Sequence, residues 1–163
     1  MTVIAVFSIL MARVIGHVMA QGAQDEADRA ESRAELMDQV IEAIDAVPGV
    51  RGVGEVSFIE AEDTLTLTAV YLTRETGEIG YRAELLDVFR AVGEIMEETD
   101  VDIDQIALIP SVLEDSAIET AVTTVFNVRL LMSGRLSRTT FLAELEILPG
   151  EHQFQEQESG GDA

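Results

Sequence analysis

The chain has 163 residues, 31 of them Asp or Glu and only ten basic; all ten are Arg, Lys and Cys are absent, and the formal net charge is −21. This excludes disulfides, thiolate metal ligands, a cysteine nucleophile and a lysine Schiff base, and argues against a phosphate-backbone partner, whose affinity rests on cationic side chains. Such charge destabilises a compact state in dilute buffer by self-repulsion, whereas at molar ionic strength the Debye length falls to roughly 3 Å, so the composition points to a protein of an extreme halophile.

Residues 2–20 contain no acid. Val3 to Ala12 is an unbroken apolar and small run, and Arg13 and His17 interrupt its apolar continuation. Three readings stay open. Val3–Ala12 followed by Val18-Met19-Ala20 suits an export signal, although the usual positive leader is missing. The whole stretch suits a membrane anchor of marginal strength, because apolar side chains at about −0.3 to −0.6 kcal/mol each are roughly cancelled by one Arg at about +2.5 to +3.5. Ser8, Ala12, Gly16 and Ala20 recur every four residues on one helical face, which suits a close helix–helix seam and makes them the candidate interaction residues.

After Gln21–Gln24, a polar hinge, residues 25–148 are expected to form one domain. The stretch 25–47 has no Gly or Pro and spaces Met37, Val40, Ile41, Ile44 and Val47 as a helix would, ended by Pro48-Gly49. Val56 and Phe58, the turn Glu60–Asp63, and Leu65, Leu67, Ala69 and Tyr71 alternating with threonines predict a β-hairpin with one buried face. Tyr81, Leu85, Phe89, Val92 and Met96 predict a second amphipathic helix. Ile103–Ile109 and Ile118–Phe126 read as two further strands, Asn127–Met132 as a short helical turn before Gly134, and Ser137 as the N-cap of a last helix running through Glu146. The order α-ββ-α-ββ-α predicts an α+β fold, an antiparallel sheet of about four strands with helices gathered on one face, preceded by the hydrophobic N-terminal helix. Residues 149–163 have the composition of a disordered acidic tail.

From Leu65 to Glu146 the pattern LTLTAVYLTRETGEIGYRAEL, a helix, a strand and FNVRLLMSGRLSRTTFLAELE resembles small haloarchaeal envelope-associated proteins of unassigned function. The helix, Pro48-Gly49-Val50 and the hairpin also resemble the cytoplasmic domain of cation diffusion facilitators; the histidine ligands of that family are missing, so no metal role carries over.

Asp100, Asp102 and Asp104 alternate with Val101 and Ile103, which places three carboxylates on one face of an extended segment and makes them the metal candidates. An EF-hand would need Gly at its sixth position and Glu at its twelfth, where Gln105 and Ser111 stand. The only histidines, His17 and His152, lie in the N-terminal segment and the tail, and no nucleophile–base or paired-His zinc arrangement emerges. Gly49, Gly52 and Gly54 precede a strand, whereas a phosphate cradle opens a helix. Arg135 and Arg138 read as surface ion-pair partners, and Tyr71, Tyr81 and Phe89 as core.

These features predict a non-enzymatic, membrane-anchored or exported interaction domain with no cofactor and no nucleic acid, working through a protein partner or self-association. A soluble cytoplasmic protein oligomerising through residues 3–20 is the main rival. A small hydrolase using two carboxylates is the third class, disfavoured by the lack of Cys and Lys and the placement of both histidines.

Overall fold

The computed structural model describes residues 26–74, 78–112 and 118–149. The N-terminal segment with Ser8, Ala12, Gly16 and Ala20, both histidines and all of the expected tail except Pro149, which belongs to a strand, lie outside the described residues. Two compact units divide the chain between Glu35 and Leu36. Helix α1 (residues 26–45) carries no buried side chain up to Glu35. In the second unit it buries Leu36, Val40 and Ile44, and Val47 beyond its end is buried too. That stripe steps by four and three as a helix face requires. Val40, Ile44 and Val47 are the residues expected from the sequence, but the stripe starts on Leu36 instead of Met37, and Ile41 stands 39% exposed.

The helix ends at Asp45, Pro48 follows in a turn, and Gly49 adopts φ +105° before strand β1 (Val50–Ala61). β1 and β2 (Thr64–Thr73) form the expected antiparallel hairpin around a two-residue turn, Glu62-Asp63, both with positive φ (49° and 62°). That is the geometry of a type I′ turn, whose twist matches the strands. Helix α2 (Glu78–Glu98) follows and buries Tyr81, Leu85, Phe89, Val92 and Met96, as the spacing predicts. Strand β3 (Gln105–Ser111), strand β4 (Glu119–Thr124), helix α3 (Val125–Met132), helix α4 (Arg138–Ala143) and strand β5 (Glu146–Pro149) complete the described chain.

The fold is α+β, but the sheet differs from the expected one in two respects. It has five strands rather than about four, ordered β1-β2-β3-β4-β5, and it is mixed: β2 and β3 run parallel, and the other neighbours are antiparallel. The parallel pair follows from the connection. α2 carries the chain back along the sheet, so the next strand starts at the end where β2 started. The fifth strand replaces the end of the last predicted helix. Ser137 caps α4 through Thr140 N as expected, yet the helix closes at Ala143. Leu145 is buried, and Glu146–Pro149 extends alongside β4. The observed order is α-ββ-α-ββ-αα-β.

Register separates two faces of the sheet. Leu67, Ala69 and Tyr71 pair with Ile106, Leu108 and Pro110, and Ile106 and Leu108 pair with Thr123 and Ala121. This face joins the buried stripes of α1, α2 and α3, with Phe141 of α4, in one core. Phe89 and Phe141 meet edge to face with centroids 5.3 Å apart, a favoured aromatic geometry. Gly93 lets α2 and α3 approach closely: a Cβ there would stand 2.6 Å from Val128 Cγ1.

Candidate functional site

The β2–α2–β3 crossover gathers polar side chains at the carboxyl end of its parallel pair. Tyr71 lies near the end of β2, and Tyr81 and Glu84 lie three apart on the first turns of α2, a spacing that puts them on one face. Glu119 opens β4 on the core side of the sheet, opposite Pro149. The Tyr81 hydroxyl donates to Glu119 Oε1 at 2.7 Å. Tyr71 is wholly buried and its hydroxyl makes no hydrogen bond. The Glu84 carboxylate is 4% exposed and sits against Gly49, where an added Cβ would collide with it.

The electrostatics make both phenols inert as bases. Burial pushes the Tyr71 hydroxyl far above the usual tyrosine range, and the charges of Glu84 and Glu119 push it further. Burial, the hydrogen bond to Glu119 and that carboxylate's charge do the same for Tyr81, opposed only by Arg82. Each therefore stays protonated and cannot serve as a base or a nucleophile. Acid–base chemistry here would fall to Glu84 and Glu119. In open sheets with parallel strands, ligands gather at the carboxyl ends, and this cluster occupies that place in the fold.

The aspartate triplet lies at the other end of the sheet. Asp100, Asp102 and Asp104 are exposed. Asp104 is wired into the backbone: its Oδ2 accepts from Leu65 N at 2.8 Å, its own N–H donates to Leu65 O, and its carbonyl accepts from Val125 N. It thereby ties the starts of β2 and β3 to the start of α3. Beside it a cavity of about 220 Å³ is lined by Met96, Asp102, Asp104, Val125 and Arg129, with Phe126 at its side 67% exposed. Among the described residues no group of three or more His, Cys, Asp or Glu side chains could hold a metal ion. Arg135 and Arg138 are exposed.

The second face of the sheet has a different character. Thr66, Thr68, Val70 and Leu72 of β2 pair with Gln105, Ala107, Ile109 and Ser111 of β3, and Gln105 and Ala107 pair with Thr124 and Val122 of β4. No position among these carries a charge. Ile59 of β1 and Leu148 of β5 extend the surface outward and are 55% and 46% exposed. None of Ile59, Val70, Leu72, Ile109, Val122 or Leu148 packs against the core. The first charges on this face, Glu55 and Glu146, stand on the two outer strands.

Compared with protein-family models, curated proteins and solved structures, the chain matches none. No helix of the described residues is long and apolar enough to cross a membrane. Two features of the site escape the sequence reading. Glu84 had a signal: it interrupts the apolar stripe of α2 between Tyr81 and Leu85, where a charge belongs only if something holds it. Glu119 had none, since an acid at a strand start is ordinary in so acidic a chain.

Proposed function

We propose that this chain is a non-enzymatic interaction domain of an extreme halophile, carried at or across a membrane by residues 1–20 and making its contacts through the uncharged sheet face. The observation that carries the reading is that face. A chain with 31 acids leaves the second face of its three central strands without one charge, although charge on exposed surface is what keeps such a protein soluble in high salt. A neutral strip of half-buried Val, Leu and Ile set among threonines, with Ile59 and Leu148 exposed on the outer strands, is surface suited to contacts. The Lys-free acidic composition and the resemblance to small haloarchaeal envelope-associated proteins support the halophilic and archaeal part of the reading, and the acid-free stretch 2–20 supports the membrane part.

The test is cell fractionation in multimolar KCl with sequencing of the mature N-terminus. Recovery with membranes, or outside the cell with the N-terminal segment removed, is expected. Recovery of the intact chain in the soluble cytoplasmic fraction would replace the reading with the rival, a cytoplasmic oligomer.

One observation favours the hydrolase class: Glu84 and Glu119 both act on the Tyr71 hydroxyl, a pair of carboxylates of the kind acid–base hydrolysis uses. Hydrolysis of ester or glycoside substrates that disappears in both Glu84→Gln and Glu119→Gln would establish it.

A further inference from the structure

We propose that the cavity between the end of α2 and the start of α3 binds a small zwitterion, an ammonium and a carboxylate on one short carbon frame. Asp102 and Asp104 take the ammonium and Arg129 takes the carboxylate. This adds a small-molecule site to the contact surface proposed above. Met96 of α2, the segment 101–104 before β3 and the first residues of α3 build the cavity. Its volume of about 220 Å³ lies below the roughly 300–1,000 Å³ of pockets for drug-sized ligands, so the occupant is small.

Opposite charges that share a cavity without meeting select the occupant. Among the described residues neither the Asp102 carboxylate nor the Arg129 guanidinium makes an ion pair or a side-chain hydrogen bond. Asp104 spends Oδ2 on Leu65 N, which leaves Oδ1. A plain anion would gain Arg129 and meet two carboxylates, and a plain cation would gain the carboxylates and meet Arg129. A molecule carrying both charges gains both pairs as charge-assisted hydrogen bonds. Phe126, the second residue of α3, stands 67% exposed beside the cavity, and an aromatic face next to carboxylates suits an ammonium group. The first turn of α3 serves the other end. Val125 N donates to Asp104 O and Asn127 N to Thr124 Oγ1, which leaves the Phe126 N–H of that turn for a ligand carboxylate. Arg129 lies three residues beyond Phe126 on the same face of the helix, and helical side chains lean back toward the preceding turn.

Protein-observed ¹H–¹⁵N NMR of the full chain in about 3 M KCl tests this with glycine, β-alanine and 4-aminobutyrate, a series that moves the two charges apart one carbon at a time. At least one of them should shift the amides of Asp102, Phe126 and Arg129 saturably, with a Kd at or below about 5 mM. Butylamine and butyrate, each with one of the two charges, should bind at least about tenfold more weakly. Arg129→Gln and Asp102→Asn, both at exposed positions, should each lower the affinity by about tenfold with the circular dichroism unchanged. Should either fail to fold, Phe126→Ala should lower it by about threefold or more. Three results overturn the proposal: no saturable shift with any of the zwitterions up to about 50 mM, binding of butylamine or butyrate within about twofold of the best zwitterion, or a Kd that none of the folded variants moves.

Discussion

Two tyrosines separate what a buried hydroxyl does when it is satisfied from what it does when it is not. Tyr81 donates to a carboxylate, and hydrogen bonds to charged groups contribute about 1.5–3 kcal/mol. Tyr81→Phe should lower the stability by about that amount. The Tyr71 hydroxyl is buried without a hydrogen bond, so Tyr71→Phe removes a desolvated group at no loss of pairing and should change stability by less than about 0.5 kcal/mol or raise it. Paired urea titrations in high salt give both values. Both phenols are held above their ordinary value in the folded state. Below about pH 10 folded and unfolded chains alike keep these protons; above it the unfolded chain loses them first, so stability falls as pH rises, by up to about 1.4 kcal/mol per unit for each tyrosine. With two Tyr and no Lys or Cys in the chain, few other side chains titrate there, and each Phe variant should remove one share of the slope. Gly93→Ala offers a third test. The new methyl gains about 1 kcal/mol of helix propensity, but it would lie 2.6 Å from Val128 Cγ1, and a β-branched side chain on a helix cannot swing away. Overpacking of about 1–3 kcal/mol wins, and the thermal midpoint should fall.

Among the elements, the hairpin turn holds two residues at a cost. Glu62 and Asp63 both sit at positive φ, where a side chain is disfavoured by roughly 1 kcal/mol per residue and where Asn-Gly is preferred. Asp63→Gly should therefore stabilise the protein by about 0.5–1 kcal/mol, read at high KCl so that loss of a carboxylate does not contribute. The same hairpin shows what was legible in the sequence. Leu65, Leu67, Ala69 and Tyr71 announce a buried face because strand side chains alternate, and Tyr81, Leu85, Phe89, Val92 and Met96 announce α2 because its core face recurs every three to four residues. Direction is not written in either period. Whether α2 returns the chain so that β3 lies parallel to β2 depends on which neighbour it packs against, and residue patterns carry no sign for that. β5 was illegible for another reason: Glu146–Pro149 is exposed throughout and too short to alternate. The candidate site was half legible. Tyr71 and Tyr81 belong to the core stripes, whereas their carboxylates converge only once β4 lies beside β3.

At the scale of the whole molecule, charge and its absence divide the labour. The acidic residues of α1 and the outer face of α2 are exposed, Glu94, Glu97 and Glu98 among them; on the function proposed above they keep the protein hydrated in brine and leave the neutral second face of the sheet for contact. On that proposal salt acts on folding through the screening of the surface carboxylates. The central claim is that this acidic fold is built for multimolar salt, and its most direct test is the thermal midpoint of the full chain between about 0.1 and 3 M KCl. The account predicts a steep rise, with loss of cooperative unfolding at the low end. A midpoint that stays level across that range would contradict it.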